Sequence, residues 1–282
     1  MRWPIKPQRP IINRSHPLSK GLIGAWPIFE HGGTSATDLK DISGFNNNVG
    51  TLGSITYERS HLGQAAVLNA NTDDLTVGEG AGTTLQPTKG ISMAVWLKTT
   101  DQAVGDPYLI GFTGTADSYA IFLNGDGSDT VVVEINAVNK AQSLSIISNG
   151  KIHQVVGTFD GANVKCYFDR ALEATTAFAG DIVYNLIGFG LGLASNPGYS
   201  SAGSKGSFYD FRLYNRALSA SEVNQSFFDP WALYTKNPSM LDDFSLEVAG
   251  EDGFNPRIPG YGIIPGGGSG YACIKRLTGS FY

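Results

Sequence analysis

The sequence predicts an all-β protein, in which residues from about Gly21 to about Phe228 form an antiparallel β-sandwich. Short apolar or alternating runs recur between clusters of Gly, Asn and Asp, and this pattern is typical of sandwiches and barrels. The 36 glycines suit a chain that must turn often. With 282 residues, the chain is long enough to bury a large core without disulfide bonds.

The predicted strands are short and separated by turn residues. They cover residues 22–29, 65–68, 91–98, 108–112, 119–123, 130–135, 152–159, 164–168, 186–193 and 208–214. Ile91 to Lys98 alternates apolar side chains on one face and carries Trp96 on the other, so we expect this strand to be covered on both sides. Asn124-Gly125 begins the segment between two of the strands and predicts that they form a hairpin.

The ends of the chain differ in composition from the sandwich. Residues 1–20 contain four prolines and predict an extended N-terminal arm, because proline fixes φ and donates no backbone hydrogen bond. Ser219 and Glu222 form a capping box for one predicted helix, which ends at Phe228. Residues 229–282 stop this helix with a proline and are rich in Gly and Pro. We predict an irregular C-terminal tail that makes assembly contacts.

Seven segments carry recognisable motifs in a fixed order. They are GLIGAW (21–26), DISGFNN (41–47), LGQAAVL (62–68), ISMAVWLK (91–98), KIHQVVGTFDG (151–161), VKCYFD (164–169) and GSFYDFRLYNRALS (206–219). Together they resemble LamG-like jelly-roll domains of the concanavalin A-like lectin/glucanase superfamily, over roughly three quarters of the chain. The chain departs from the family pattern at Ile152, where a Trp is usual, at Gln154, where a second His is usual, and at Arg170, where a Gly is usual. The resemblance implies the fold but no single function, because this fold hosts lectins, hydrolases, adhesion modules and structural parts.

The two ends also resemble those of LamG-type proteins encoded in tailed phages and prophages. The segments that carry this likeness are INRSHPL (12–18) in the arm and DPW (229–231) after the helix. It implies a non-enzymatic structural component of a tailed-phage virion, either a capsid decoration or a tail-appendage protein, anchored through its terminal segments. Expected partners are capsid, connector or tail subunits and further copies of the chain. The alternative is a carbohydrate-binding adhesion module that recognises a cell-surface glycan.

Charge and composition limit which partners and which location we expect for the protein. The net charge of −5 argues against nucleic acid, because phosphate contacts need clustered Lys and Arg. Neither a signal peptide nor a membrane-spanning run is visible, so we expect synthesis in a host cytoplasm and no membrane contact. The likeness to phage proteins implies that the chain is then located in the virion. Two cysteines, Cys166 and Cys273, do not suggest a disulfide framework.

The sequence predicts no catalytic residue. Retaining glycoside hydrolysis needs two carboxyl groups about 5 Å apart, which neighbouring positions on one strand face would supply. The nearest pattern is Glu134 followed by Asn136, and we interpret Glu134 as a lone surface charge. His153 and Cys166 lie on adjacent strands, but the family resemblance implies a structural role for His153 and no acid or oxyanion loop accompanies the pair. His16, His31 and His61 lie in the arm or in turns.

The sequence offers only weak candidate residues for a metal, cofactor or sugar site. Asn124, Asp126 and Asp129 form an acidic hairpin and Asp73-Asp74 follows a strand, yet such residues also form turns, and we predict neither a metal nor a cofactor. Trp26 and Trp96 occupy family core positions, so we predict that they pack in the core and do not stack on sugars. Trp3 and Trp231 lie outside the predicted sandwich, and we expect them to contact partners. The predicted site list is therefore empty.

Overall fold

The computed structural model describes most of the chain. The described residues are 6–7, 10–28, 39–50, 55–69, 75–77, 83–100, 106–113, 117–184, 188–192, 204–235, 261–263 and 274–276. The chain divides into two units, Met1–Asn237 and Pro238–Tyr282, and the first unit holds the sandwich.

One sheet of the sandwich has eight strands among the described residues. They are β1 (Leu22–Pro27), β2 (Thr56–Ser60), β3 (Gly63–Leu68), β5 (Ile91–Lys98), β10 (Ile152–Phe159), β11 (Asn163–Phe168), β12 (Ala171–Ala177) and β14 (Gly206–Tyr214). The spatial order is β12-β11-β10-β5-β14-β3-β2. The first residues of β14 pair with β3 and the later ones with β1, and every pairing is antiparallel.

The second sheet has six strands among the described residues. They are β4 (Leu75–Val77), β6 (Tyr108–Thr113), β7 (Tyr119–Leu123), β8 (Val131–Ile135), β9 (Asn139–Gln142) and β13 (Gly188–Leu191). Their spatial order is β4-β13-β6-β7-β8-β9, again antiparallel throughout. The predicted all-β jelly-roll sandwich is therefore confirmed, and so is the hairpin that Asn124-Gly125 predicts between β7 and β8, although its connection extends over residues 124–130.

Four strands of the two sandwich sheets were not predicted from the sequence, and each of them lies at an edge of its sheet. These strands are β2 and β12 in the larger sheet and β4 and β9 in the smaller. Edge strands are commonly short or polar, because a polar edge resists pairing with other chains. Here β2 and β9 are polar and β4 is short, so none shows a strong apolar run.

The inner core lies between the two sheets. Alternate residues of β5, including Met93 and Val95, point into it and meet alternate residues of β7 and β8, including Ile121 and Val133. Gly157 on β10 shows how tightly the sheets approach, since a Cβ at this position would lie 2.6 Å from a methyl group of Val133. The period-two pattern of the sequence therefore places the core correctly.

The outer face of the eight-stranded sheet is also covered, by a second apolar cluster that we call the outer cluster. Its members from the sheet are Leu22, Ala25, Ala65, Ala94, Trp96, Val156, Tyr167, Tyr209 and Tyr214, and its members from other segments are Ile12, Leu18, Leu62, Leu218, Val223, Trp231, Ala232, Leu233 and Tyr234. Helix α1 (Ala220–Phe228) contributes Val223 and begins with the predicted capping box between Ser219 and Glu222. The expectation that β5 is covered on both sides is confirmed.

The outer cluster carries the folded unit beyond the expected boundaries at residues 20 and 228. The backbones of Ile12 and Tyr234 form an antiparallel bridge, and hydrogen bonds join Asn13 to Leu233 and Thr235 to Ile11. The interpretation of Trp231 as a residue outside the sandwich is wrong, because its side chain is only 3% exposed. The proline that stops the helix predicts that the sandwich ends at Phe228, but the apolar residues after this proline pack back on the sheet.

The second unit contains β15 (Tyr261–Ile263) and β16 (Ile274–Arg276), which pair as a two-stranded antiparallel sheet. In the described residues, helix α1 has 9 residues, and no helix is long and apolar enough to cross a membrane.

Candidate functional site

The turn between β11 and β12 consists of two residues, Asp169 and Arg170, since Phe168 and Ala171 pair directly on either side. Both turn residues have positive φ, 44° for Asp169 and 72° for Arg170. One carboxylate oxygen of Asp169 lies 2.8 Å from His153 Nδ1, and the other accepts the backbone N–H of Gln154 at 2.9 Å. The turn is therefore clamped to the start of β10.

His153 is held on both sides by this arrangement. Its Nε2 atom lies 3.0 Å from the Asn149 side-chain oxygen, and its ring packs on Phe168 with 4.6 Å between ring centroids. Cys166 pairs instead with Gly157, four residues along β10 from His153. The thiol lies in the inner core, where burial raises its pKa to about 12, so it stays protonated. Cys166 and His153 therefore form no nucleophile–base pair.

The Arg170 side chain lies at the C-terminal end of α1. Its guanidinium carbon is 4.7 Å from the ring centroid of Phe228 and 5.9 Å from that of Phe227. Its Nη1 atom lies 3.5 Å from the side-chain oxygen of Asn224. Together, Arg170, Asn224, Phe227 and Phe228 form what we call the Arg170 surface.

The two aromatic rings of the Arg170 surface have different environments. Phe227 stacks on Trp96 with 5.6 Å between centroids and is partly buried against the outer cluster. Phe228 meets the edge of Phe227 at an interplanar angle of 80°, and 41% of Phe228 is exposed. One ring thus anchors the surface to the sheet, and the other is partly exposed to solvent.

No described carboxylate forms an ion pair with Arg170. The acidic groups of the nearby chain have other partners, since Asp169 binds His153 and Glu222 binds Arg216 at 2.7 Å. Arg170 and Asn224 are both exposed. The Arg170 surface therefore combines a partly exposed aromatic ring, an amide and a guanidinium with unused donors.

Glu134 lies on the outer face of the six-stranded sheet, and its interpretation as a lone surface charge is wrong. It is 3% exposed and forms an ion pair with Lys140 at 2.8 Å. Burial raises the pKa of the Glu134 carboxyl, the Lys140 ammonium opposes this effect, and the negative charge of Asp117 reinforces it. The alternation of β8 signals the outward direction of Glu134, but only the fold places Asp117 near it.

The residues around Glu134 form a closed group. Tyr108, Ala120, Phe122 and Val132 make a small buried cluster on this face, and the Tyr108 hydroxyl donates to Asp117. Lys140 lies 5.0 Å from the ring centroid of Phe122. A carboxyl with a raised pKa is a feature of general acids, but here it is covered and neutralised by its own neighbours.

The acidic hairpin after β7 is tied by its own hydrogen bonds. Asp126 accepts the backbone N–H of Ser128 at 2.8 Å, and Asp129 accepts the hydroxyl of Ser148 at 2.5 Å. In the part of the chain that the structure describes, no three His, Cys, Asp or Glu side chains are grouped to hold a metal ion. Asp73-Asp74 lies outside the described residues.

The predicted core positions of Trp26 and Trp96 are confirmed. Trp26 is fully buried, stacks on Phe189 and donates from its indole nitrogen to the Asn47 carbonyl at 2.7 Å. The DISGFNN motif explains this contact, because Asp41 accepts N–H groups from β1 and from Asn47 and so fixes the loop on the strand. Trp96 is 6% exposed.

The remaining candidate residues cap a turn, are exposed in a turn or lie outside the described residues. His16 accepts the backbone N–H of Leu18 through Nδ1 and so caps a short 3₁₀ turn in the arm. His61 is exposed in the turn between β2 and β3. Trp3 and His31 lie outside the described residues.

Comparison with known proteins identifies relatives of this fold. Residues 69–224, more than half of the chain, match the Laminin_G_3 family model of the concanavalin A-like lectin/glucanases superfamily. No curated protein sequence matches the chain significantly.

Solved structures with similar folds include domains of enzymes and toxins. Domain 4 of a GH43 extracellular arabinanase from Geobacillus stearothermophilus, solved with arabinotriose, superposes with a TM-score of 0.58 over 74% of this chain and 98% of that one, at 18% identity. The binding domain of Paraclostridial Mosquitocidal Protein 1 gives 0.55 over 74% and 52%, at 16% identity. Trypanosoma rangeli sialidase gives 0.56 over 80% and 37%, at 15% identity. At such identities the likeness shows the fold alone.

Proposed function

Since the chain belongs to the concanavalin A-like lectin/glucanases superfamily, we propose that it is a non-catalytic carbohydrate-binding module whose glycan site is the Arg170 surface. The observation that carries this proposal is the open ring of Phe228, flanked by Arg170 and Asn224. Protein sites for sugars pair an aromatic face, which stacks on the apolar face of a sugar ring, with a few polar groups that bind hydroxyls. The arabinanase domain with a similar fold was solved with a bound trisaccharide, which supports the proposal.

The absence of catalysis is the second part of the proposal. Neither candidate set of reactive residues is arranged for catalysis, because Glu134 is buried beside Lys140 and Cys166 is separated from His153. Glycoside hydrolysis needs a carboxyl pair that flanks an accessible substrate. The described residues of the Arg170 surface include no carboxylate.

A glycan array probed with the full-length chain tests the proposal. We expect binding to at least one oligosaccharide, and about a tenfold loss of affinity for Phe228→Ala, because aromatic anchors dominate small sites. The matched control is Phe45→Ala, which removes another exposed ring, 47% exposed, and should bind as the parent does. The proposal fails if no glycan binds, or if both variants bind as the parent does.

A reducing-sugar assay on each glycan that binds tests the non-catalytic part. We expect no release of reducing sugar. Turnover that disappears in Glu134→Gln would instead identify the closed group on the six-stranded sheet as an active site.

We propose as a second candidate that the module is a structural component of a tailed-phage virion. The observation in its favour is the pairing of Ile12 with Tyr234 and of Ile11 with Thr235, which attaches both terminal segments to the sandwich at one place. Such a joint anchor suits attachment to capsid, connector or tail subunits, and it leaves glycan binding unaffected. The two roles are compatible.

Particle incorporation tests this second role. A chain ending at Asn237 keeps the whole first unit and should fold, yet it should fail to join phage particles that incorporate the full-length chain. Equal incorporation of the two chains would refute anchoring through the C-terminal tail.

A further inference from the structure

Arg170 has a backbone conformation that disfavours its own side chain. A two-residue hairpin turn with positive φ at both positions strongly prefers Gly at the second, and this is the position of Arg170. An L-residue in this region crowds its Cβ against the following carbonyl, so the fold is strained at Arg170. Strain that persists in a fold frequently marks a site where the side chain has a function.

The contacts of the Arg170 side chain account for only part of its bonding capacity. A guanidinium has five N–H donors in a planar fork, and here the one described acceptor is Asn224 at 3.5 Å, which is the outer limit for a hydrogen bond. The guanidinium carbon lies over the Phe228 ring at 4.7 Å from its centroid, and this contact uses none of the N–H donors in a hydrogen bond. No described carboxylate pairs with it, although the chain as a whole carries an excess of acidic residues.

We propose that Arg170 makes the Arg170 surface selective for glycans that carry carboxylate groups. The guanidinium would donate two hydrogen bonds to a sugar carboxylate, in the bidentate geometry that arginine favours. Phe228 would stack on the same or the next sugar ring. Asn224 adds an amide that can bind a neighbouring hydroxyl. This inference rests on the proposed carbohydrate-binding function, and it adds the chemical class of the ligand and the residue that selects it.

Matched pairs of oligosaccharides test the selectivity. The probes are oligogalacturonate, oligoguluronate and sialyllactose, each beside its methyl ester, which keeps the sugar and removes the charge. Isothermal titration with the full-length chain should give at least tenfold tighter binding of one or more acids than of the matching ester. The preference should shrink as salt rises, because ion pairs at an exposed site are screened.

Variants assign the selectivity to Arg170. Arg170→Gly should abolish the preference for the acid, and Arg170→Lys should retain only part of it, because an ammonium lacks the planar fork. The matched control is Ala137→Gly, which relieves a positive φ of 61° in the turn between β8 and β9 and should leave binding unchanged.

Thermal unfolding separates a binding role from a structural one. Ala137→Gly should raise Tm by about 2–4 °C, because a strained position is relieved. In Arg170→Gly the relief of strain and the loss of ring stacking are of similar size, so Tm should stay within about 2 °C of the parent. A larger fall would identify Arg170 as a structural clip for the end of α1 and overturn the proposal.

The binding outcomes distinguish this inference from the proposed function. If acids and esters bind equally, or if Arg170→Gly keeps the preference, the selectivity proposal is wrong while carbohydrate binding stands. If neither these probes nor any glycan on the array binds, the proposed function fails as well.

Discussion

The two outer faces of the sandwich differ in what covers them. On the eight-stranded sheet, the arm, α1 and residues 229–235 cover a broad apolar layer that is continuous with Trp96 and Tyr209. On the six-stranded sheet, the described residues form a cluster of only four apolar side chains beside Glu134 and Lys140. The first face is therefore a second core built by segments from both ends of the sandwich sequence.

The ion pairs on the two faces also differ in how far they are covered. Arg212 and Asp210 form an ion pair at 2.5 Å with both side chains almost fully buried, and Arg212 also donates to the Pro230 carbonyl. In the pair on the other face, Glu134 is buried but the Lys140 side chain is 46% exposed. The cover over the eight-stranded sheet thus removes both charges from water, and the comparison teaches that residues 229–235 are integral to the fold.

Removal of residues 229–235 should have the largest effect. A chain ending at Phe228 loses Trp231, Leu233 and Tyr234 and leaves Asp210 and Arg212 without their cover. Because each buried large side chain contributes about 2–5 kcal/mol, we expect a loss of more than about 5 kcal/mol and no cooperative unfolding transition. Circular dichroism melting measures this.

The matched control is the chain ending at Asn237, which should melt cooperatively. If the chain ending at Phe228 melts at the same temperature as this control, residues 229–235 are dispensable, and the sandwich ends where the sequence placed its boundary.

Substitution of one cation in each pair sharpens the comparison. Arg212→Met should cost about 3–5 kcal/mol, because it leaves the buried Asp210 charge without its partner. Lys140→Met should lower the free energy of unfolding by about 1 kcal/mol or less. The Lys140 ammonium is largely exposed, so solvent screens its attraction to Glu134. Urea unfolding of both variants measures the difference, and equal losses would mean that the two faces are equally dry.

The capping box of α1 should give a smaller, pH-dependent effect. Burial alone would raise the pKa of Glu222, but hydrogen bonds from Arg216 and Ser219 outweigh it and lower the pKa from 4.5 to about 2. A carboxyl with a lowered folded-state pKa adds stability above pH 4.5, and this stability is lost as pH falls toward about 2. Glu222→Gln should therefore cost about 1 kcal/mol at pH 7.

Unfolding free energies measured between pH 7 and pH 2 check this sign. The parent and Glu222→Gln should converge near the lower end of the range. A constant difference across the whole range would show that the ionisation of Glu222 contributes nothing to the helix cap.

The interior strands and the inner core could be predicted from the sequence, whereas the edges and the boundaries could not. Alternation in segments such as residues 91–98 fixes which side chains face the core, because successive residues of a strand point to opposite faces. Edge strands such as β2 and β9 carry polar residues and lack that signal. The buried Trp231 was missed for a similar reason, since a helix-stopping proline precedes it and masks its return to the sheet.

The candidate site also has features that could be predicted from the sequence and features that could not. By itself, the sequence determined the fold, the helix cap and the departure from the family pattern at Arg170, since these depend on local composition, spacing and motif order. Only the tertiary structure decided that Arg170 lies on Phe228, about sixty residues away in the chain, and that Phe228 stays open while Phe227 is anchored on Trp96. The physical reason is that these contacts join two segments that are far apart in the sequence, a hairpin turn and the end of a helix. Local residue patterns predict contacts between near neighbours only.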